Sequence, residues 1–209
     1  MENLSLMLFI SFAAPLIMAI IICKDKSQLL LSFLFIGTVV GLFCGELNGI
    51  LVNILPIDNV EYTSNISPLL EECFKSIPIL LYAFNFKPKK QTLLECAALV
   101  GVGFAVLENA FILAENAMSM SIPIAVIRGF GAGLMHGVCT MCVGYGISFV
   151  HTRRKVFYTG TIAILAAVSI YHSIYNMLVQ SEHEILGFIL PTLTFIPIWF
   201  VFCKNKKDS

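Results

Sequence analysis

Apolar residues fall into seven long blocks, at 4–23, 29–55, 66–86, 92–117, 122–150, 156–179 and 185–203, each closed by a few polar or charged positions. Each block is long enough to cross a hydrocarbon core of ~30 Å as a helix rising ~1.5 Å per residue. The pattern predicts an all-α fold, a polytopic membrane bundle of seven transmembrane helices forming one domain over 1–209. The second block predicts the least regular helix. Gly45, Glu46, Asn48 and Gly49 suggest an end near Gly45 and an interfacial continuation through Pro56. The first block differs from a signal peptide, because Glu2 is the only charge before it and its length of about 20 residues suits a spanning helix.

Composition agrees with lipid as the solvent. Of the 209 residues, 58% are hydrophobic and 12% are charged, against roughly 25% charged in a soluble domain. No basic face interleaved with aromatics is present, so a nucleic-acid partner is excluded. The seven cysteines lie in or at the ends of apolar blocks and are expected to be packing residues rather than a disulfide framework. Cys139 and Cys142 form an isolated C-x-x-C with no second pair to complete a zinc site.

Charge sets the orientation. Lys24 and Lys26 lie in the first loop, Lys87, Lys89 and Lys90 in the third, Arg153, Arg154 and Lys155 in the fifth, and Lys204, Lys206 and Lys207 in the tail. The second, fourth and sixth loops carry no Lys or Arg, and Asp58, Glu61, Glu182 and Glu184 stand in the second and sixth. Basic loops stay cytoplasmic. The alternation therefore predicts a cell-membrane protein with the N-terminus outside and the C-terminus in the cytoplasm.

Of the 13 Lys and Arg residues, this leaves Lys75 and Arg128 inside helices. A charge within a span costs several kcal/mol unless it is paired or hydrated. Candidate partners are near. Glu71, Glu72 and Lys75 share the third helix, with Glu71 and Lys75 at the favourable i,i+4 spacing. Glu108 and Asn109 lie on the fourth, Arg128 and His136 on the fifth, and His172 and Asn176 on the sixth. The predicted topology sets most of these at a similar depth in the outer half of the bilayer, ~6–13 Å down, with His136 near the midplane. Glu95 and Glu115 sit near helix ends and are expected to be solvated. His151 and His183 are expected in loops. Gly129, Gly131, Gly133 and Gly137 lie inside a span, where small residues permit close helix packing.

Carboxylates beside imidazoles suit water activation. Burial holds protons on a carboxyl and a neighbouring cation removes them, so a Glu here can act as a general base. His and Asn donors can stabilise an oxyanion. The same Glu and His types also ligate zinc, although no H-E-x-x-H motif is present.

Four blocks in order carry a family resemblance. Glu71-Glu72-Cys73-Phe74-Lys75 matches E-E-x-x-K, and Gly103 to Asn109, with Phe104 second, matches G-F-x-x-x-E-N. Arg128 with His136 and Thr140 forms the third block, and His172-Ser173-Ile174-Tyr175-Asn176 matches H-x-x-x-N. The pattern resembles the PrsW family of intramembrane proteases, distantly similar to the CAAX prenyl protease and Abi group. It covers about 66–180. Unlike that group, this chain has Lys75 one position early and Glu108 where a His would stand.

The resemblance implies an intramembrane endopeptidase of the glutamic type that cuts a single-pass, membrane-anchored substrate, such as an anti-sigma factor at its first cleavage site. It assigns water activation to Glu71 or Glu72, sharing of that water to Glu108, the oxyanion to His172 and Asn176, and a place in the polar core to His136. Lys75, Arg128, Asn109 and Phe104 are supporting. No cofactor is required by this reading. A zinc-dependent variant would use Glu71, Glu72, Glu108, His136 and His172. Two other classes fit buried charges: an ion- or proton-coupled transporter or channel, and a non-catalytic binding or immunity relative.

Overall fold

The computed structural model describes residues 4–116, 121–182 and 185–207, with no side chain described at 199 or from 201 onward. Glu2, Ala117, His183 and Glu184 lie outside the described residues, as do the side chains of Lys204, Lys206 and Lys207. The described chain is helical, with no strand among the described residues. Its elements are α1 Leu4–Ile22, α2 Asp25–Ile54, α3 Asn59–Glu61, a π-helical turn Tyr62–Ile66, α4 Ser67–Phe86, α5 Lys90–Glu115, α6 Ile122–Ile147, α7 Arg154–Val179 and α8 Leu186–Lys207.

Among the described residues five helices, α1, α2, α5, α6 and α7, are long and apolar enough to cross a membrane. Helix α4 is 20 residues long but carries Glu71, Glu72 and Lys75. In α8 the apolar stretch Leu186–Ile198 is shorter. The expected break in the second block does not occur. Helix α2 runs unbroken through Gly45, Glu46, Asn48 and Gly49 to Ile54, because those residues face a cleft rather than the end of a helix.

Glycines set how close the central helices come. A Cβ on Gly37 of α2 would overlap the Val100 carbonyl, and one on Gly103 of α5 would overlap the Leu34 carbonyl. A Cβ on Gly101 would likewise overlap the carbonyl of His136 on α6. These three positions bring α2, α5 and α6 into backbone contact, as small residues do between helices in lipid. Of the α6 glycines expected to pack, Gly131 meets Gly187 and Gly137 meets Val102, whereas Gly129 and Gly133 face open space. The apolar core, including Ile79, Val100, Met135 and Val143, lies between α4, α5 and α6. Helix α1 lies outside this core, with Ala13 its only buried residue among those described.

Charge divides by helix end. Lys26 bridges Glu95 at 2.6 Å, so Glu95 is paired rather than merely solvated. At the same end of the bundle Lys90 lies over the Tyr145 ring at 3.9 Å, and His151 Nε2 meets the Ala83 carbonyl at 3.0 Å. The opposite end holds Glu46 and Glu115, which share one cleft.

Candidate active site

The polar cluster assembles from four helices. Ridges one turn apart on α4 turn Glu71, Glu72 and Lys75 inward, and all three are buried. Helix α5 contributes Glu108, α6 contributes His136 and α7 contributes His172. Lys75, His136 and His172 are fully buried.

Lys75 sits at the centre. Its ammonium donates to Glu72 Oε1 at 2.6 Å and meets His136 Nδ1 at 2.7 Å. It also lies 4.5 Å from the centre of the Phe104 ring, a cation–π contact strengthened by burial. The ion pair is thus with Glu72 at i,i+3, not with Glu71 at i,i+4 as the spacing suggested. Glu72 also receives His172 Nδ1 at 3.0 Å, and that second bond draws it to the centre.

The tautomers follow from these partners. An ammonium has donors and no acceptor, so His136 Nδ1 accepts and its Nε2 carries the hydrogen. That hydrogen points at Glu108 Oε2, 2.7 Å away. Glu108 therefore meets His136 rather than Arg128 as its nearest partner. A carboxylate only accepts, so His172 donates from Nδ1 and keeps a lone pair at Nε2.

Glu71 is held from the other side. Ser67 Oγ donates to its Oε1 at 2.6 Å, and Asn48 Nδ2 lies 3.4 Å away. Asn48 also donates to Ser67 Oγ at 2.8 Å and accepts from Tyr62 Oη at 2.7 Å. Sequence reading missed Asn48, Ser67 and Tyr62. Ser67 stands at i,i+4 to Glu71 and was legible in principle. Asn48 was read as a helix-end residue, and only the packing of α2 against α4 reveals its role.

Three buried acceptors of the cluster remain open among the described residues, Glu72 Oε2 being one of them. The other two, Glu71 Oε2 and His172 Nε2, face each other 3.8 Å apart. That gap is too long for a direct hydrogen bond. Buried polar groups are ordinarily satisfied, and one small polar group between these two atoms would satisfy both.

The remaining predicted residues lie around this centre. Asn176 donates to the Thr63 carbonyl at 2.9 Å, tying α7 to the π-helical turn. Asn109 donates to the Arg128 carbonyl at 3.3 Å, tying α5 to α6. The Arg128 guanidinium makes no salt bridge among the described residues, and its Nε is buried without a partner. Thr140 donates to the His136 carbonyl at 2.8 Å.

A cleft of about 660 Å³ reaches the cluster between α2 and α5, with Glu71 and Glu108 in its wall. The Glu108 side chain is 25% exposed. The buried groups His136, His172, Glu72 and Lys75 stand behind these two carboxylates.

The chain matches the PrsW family, described as intramembrane metalloproteases, over residues 25–202. The chain belongs to the PrsW family. It is a peptidase and a multi-pass membrane protein, and the substrate of such an enzyme is a protein in the bilayer. The match leaves out α1. Searches of curated proteins and of solved structures give no match.

The PrsW description implies a metal, and the donor set bears on it. Glu71, His136 and His172 each bring one ligand atom to within 4.8 Å of the others. Of these, Glu71 Oε2 and His172 Nε2 are the open atoms. The Glu72 carboxylate on His172 Nδ1 is the arrangement that orients metal-bound imidazoles. His136 differs, because Lys75 and Glu108 occupy both of its ring nitrogens. Two of the three atoms stand ready, and the third is free only if Lys75 or Glu108 releases it.

Proposed function

We propose that this PrsW protein hydrolyses a peptide bond of a membrane-anchored protein with water held between Glu71 Oε2 and His172 Nε2. The observation that carries the reading is that pair of buried, unpartnered acceptors 3.8 Å apart, of which Glu71 lies in the wall of an open cleft. A water that gives a hydrogen to each turns its lone pairs outward, toward a carbonyl carbon. Glu71 takes one proton as the water attacks, and the carboxyl then returns it to the leaving amine. Ser67 and Asn48 fix Oε1 so that Oε2 faces the water. Glu72 holds the His172 tautomer, and Lys75 neutralises Glu72. Asn176 keeps a second Nδ2 hydrogen beyond the one on Thr63 and is assigned to the oxyanion.

The metal-dependent reading is supported by the proximity of Glu71, His136 and His172. These residues would hold a zinc ion, which would polarise the carbonyl and lower the pKa of water. A catalytic zinc takes three protein ligands, and His136 offers no free nitrogen. We therefore expect cleavage of a membrane substrate in proteoliposomes to persist in a strong chelator. Loss in chelator with recovery on added zinc would replace the glutamate mechanism with the metal one.

We further propose one domain over 1–209 with seven spans, the N-terminus outside and the C-terminus in the cytoplasm. The support is the basic residues at one end of the helices and the acidic cleft at the other. A membrane-impermeant reagent is expected to label a cysteine placed in the 56–60 turn of intact cells and to leave one at Lys89 unlabelled. The reverse pattern would invert the topology. In this orientation the bond cut lies in the outer half of the bilayer, which suits first-site cleavage of a single-pass protein such as an anti-sigma factor.

A further inference from the structure

Helix α2 carries a glycine at every fourth position, Gly37, Gly41, Gly45 and Gly49, a ridge that winds by about 40° at each step. Their surroundings change along that ridge. At Gly37 a Cβ would overlap the α5 backbone, and at Gly41 it would sit 3.4 Å from the Phe104 carbonyl. At Gly45 and Gly49 it would meet nothing within 4 Å. The close approach to α5 at Gly37 is therefore lost by Gly45. The helix-packing ridge begun at Gly37 ends with half of it unused.

The unused half lines the cleft that reaches Glu71. A second observation points to an occupant there, because Glu71 is buried in that wall with Oε2 unpartnered. Charge states what the occupant carries. Glu46, Glu71, Glu108 and Glu115 line the cleft, with no Lys, Arg or His among its lining residues. Glu46 and Glu115 are exposed at its outer part.

We propose that the open Gly45/Gly49 face of α2 receives a membrane segment of the substrate that carries Lys or Arg at the level of Glu46 and Glu115. This rests on the reading of Glu71 as the catalytic carboxylate and adds the substrate class. The glycines let the incoming backbone approach α2 as closely as α5 does at Gly37. The two exposed carboxylates select its charge, since juxtaposed like charges cost several kcal/mol.

The test reads binding apart from hydrolysis. The probe is a synthetic spanning peptide of Leu and Ala with a photoreactive side chain at mid-depth and either Lys or Glu near its outer end. It is cross-linked in liposomes to the full chain bearing Glu71→Gln. The Lys peptide is expected to label α2 at least about tenfold more than the Glu peptide. Adding Gly49→Leu, whose Cβ enters open space, removes that labelling. Gly129→Leu on α6 also faces open space and serves as the control that retains it. Adding Glu46→Lys and Glu115→Lys together reverses the preference to the Glu peptide. Equal labelling of both peptides by the parent, or unchanged labelling after Gly49→Leu, overturns the proposal. Selective labelling by a chain whose wild-type form cuts neither peptide supports the docking surface and counts against the catalytic reading instead.

Discussion

Glu71→Gln is expected to lower the cleavage rate by ~10²–10⁴-fold, the contribution of a positioned general base, while the protein folds as before. The amide keeps the shape of the carboxylate. It still accepts from Ser67 Oγ through its carbonyl oxygen, at the position where Oε1 now lies 2.6 Å away. What changes is the other arm, which becomes an NH₂ group facing the His172 Nε2 lone pair across 3.8 Å. That group can donate to His172 but cannot take a proton from water. Glu72→Gln acts differently, because Glu72 Oε1 holds both Lys75 and His172. It loosens the cluster as well as slowing the reaction. Cleavage and thermal unfolding of purified protein in detergent separate the two. A Glu71→Gln enzyme that retains wild-type turnover would remove Glu71 from the role of base.

Lys75→Met is expected to be the most destabilising single change in the cluster, at ~3–5 kcal/mol, because it strips the cation from a buried carboxylate. Lys75 is fully buried, and Glu72 beside it is 1% exposed. Methionine fills much of the same space, so the loss is electrostatic rather than steric. The double variant Glu72→Gln with Lys75→Met removes both charges together and is expected to recover most of the stability. It is not expected to recover activity. His136 loses the donor that fixes its tautomer, and His172 loses the carboxylate that turns its lone pair toward Glu71. Unfolding in detergent measures the first effect and substrate cleavage the second. A double variant no more stable than Lys75→Met alone would mean that the pair contributes by packing.

The helical blocks were legible because each is a long apolar run, and the predicted edges fall within a few residues of the helices. Hydropathy failed at α2, where Gly45, Glu46, Asn48 and Gly49 look like an ending. Those residues are polar or small because they face a cleft and a carboxylate, which a count along one chain does not register. The members of the cluster were legible as costly charges in apolar surroundings, and the four-block pattern named the family. The pairings were less so. On α4 alone, Glu71 at i,i+4 and Glu72 at i,i+3 serve Lys75 equally well, and His172 from α7 decides between them. On charge alone Arg128 would suit Glu108, but His136, two turns deeper on α6, is the residue that meets it. Contacts between helices decide these pairings, and sequence spacing reports only contacts within one.

The π-helical turn at Tyr62–Ile66 closes with a bond from the Ser67 amide to the Tyr62 carbonyl, five residues apart. In an ordinary α-helix, residues five apart differ by about 140° around the axis. The wider turn brings them nearly into line. Tyr62 and Ser67 consequently reach the same amide, that of Asn48, from one side of the helix. The turn works as an angular shim. One residue fewer there would swing Tyr62 away by about a quarter of a circle, leaving Asn48, and through it Glu71, supported from one end only.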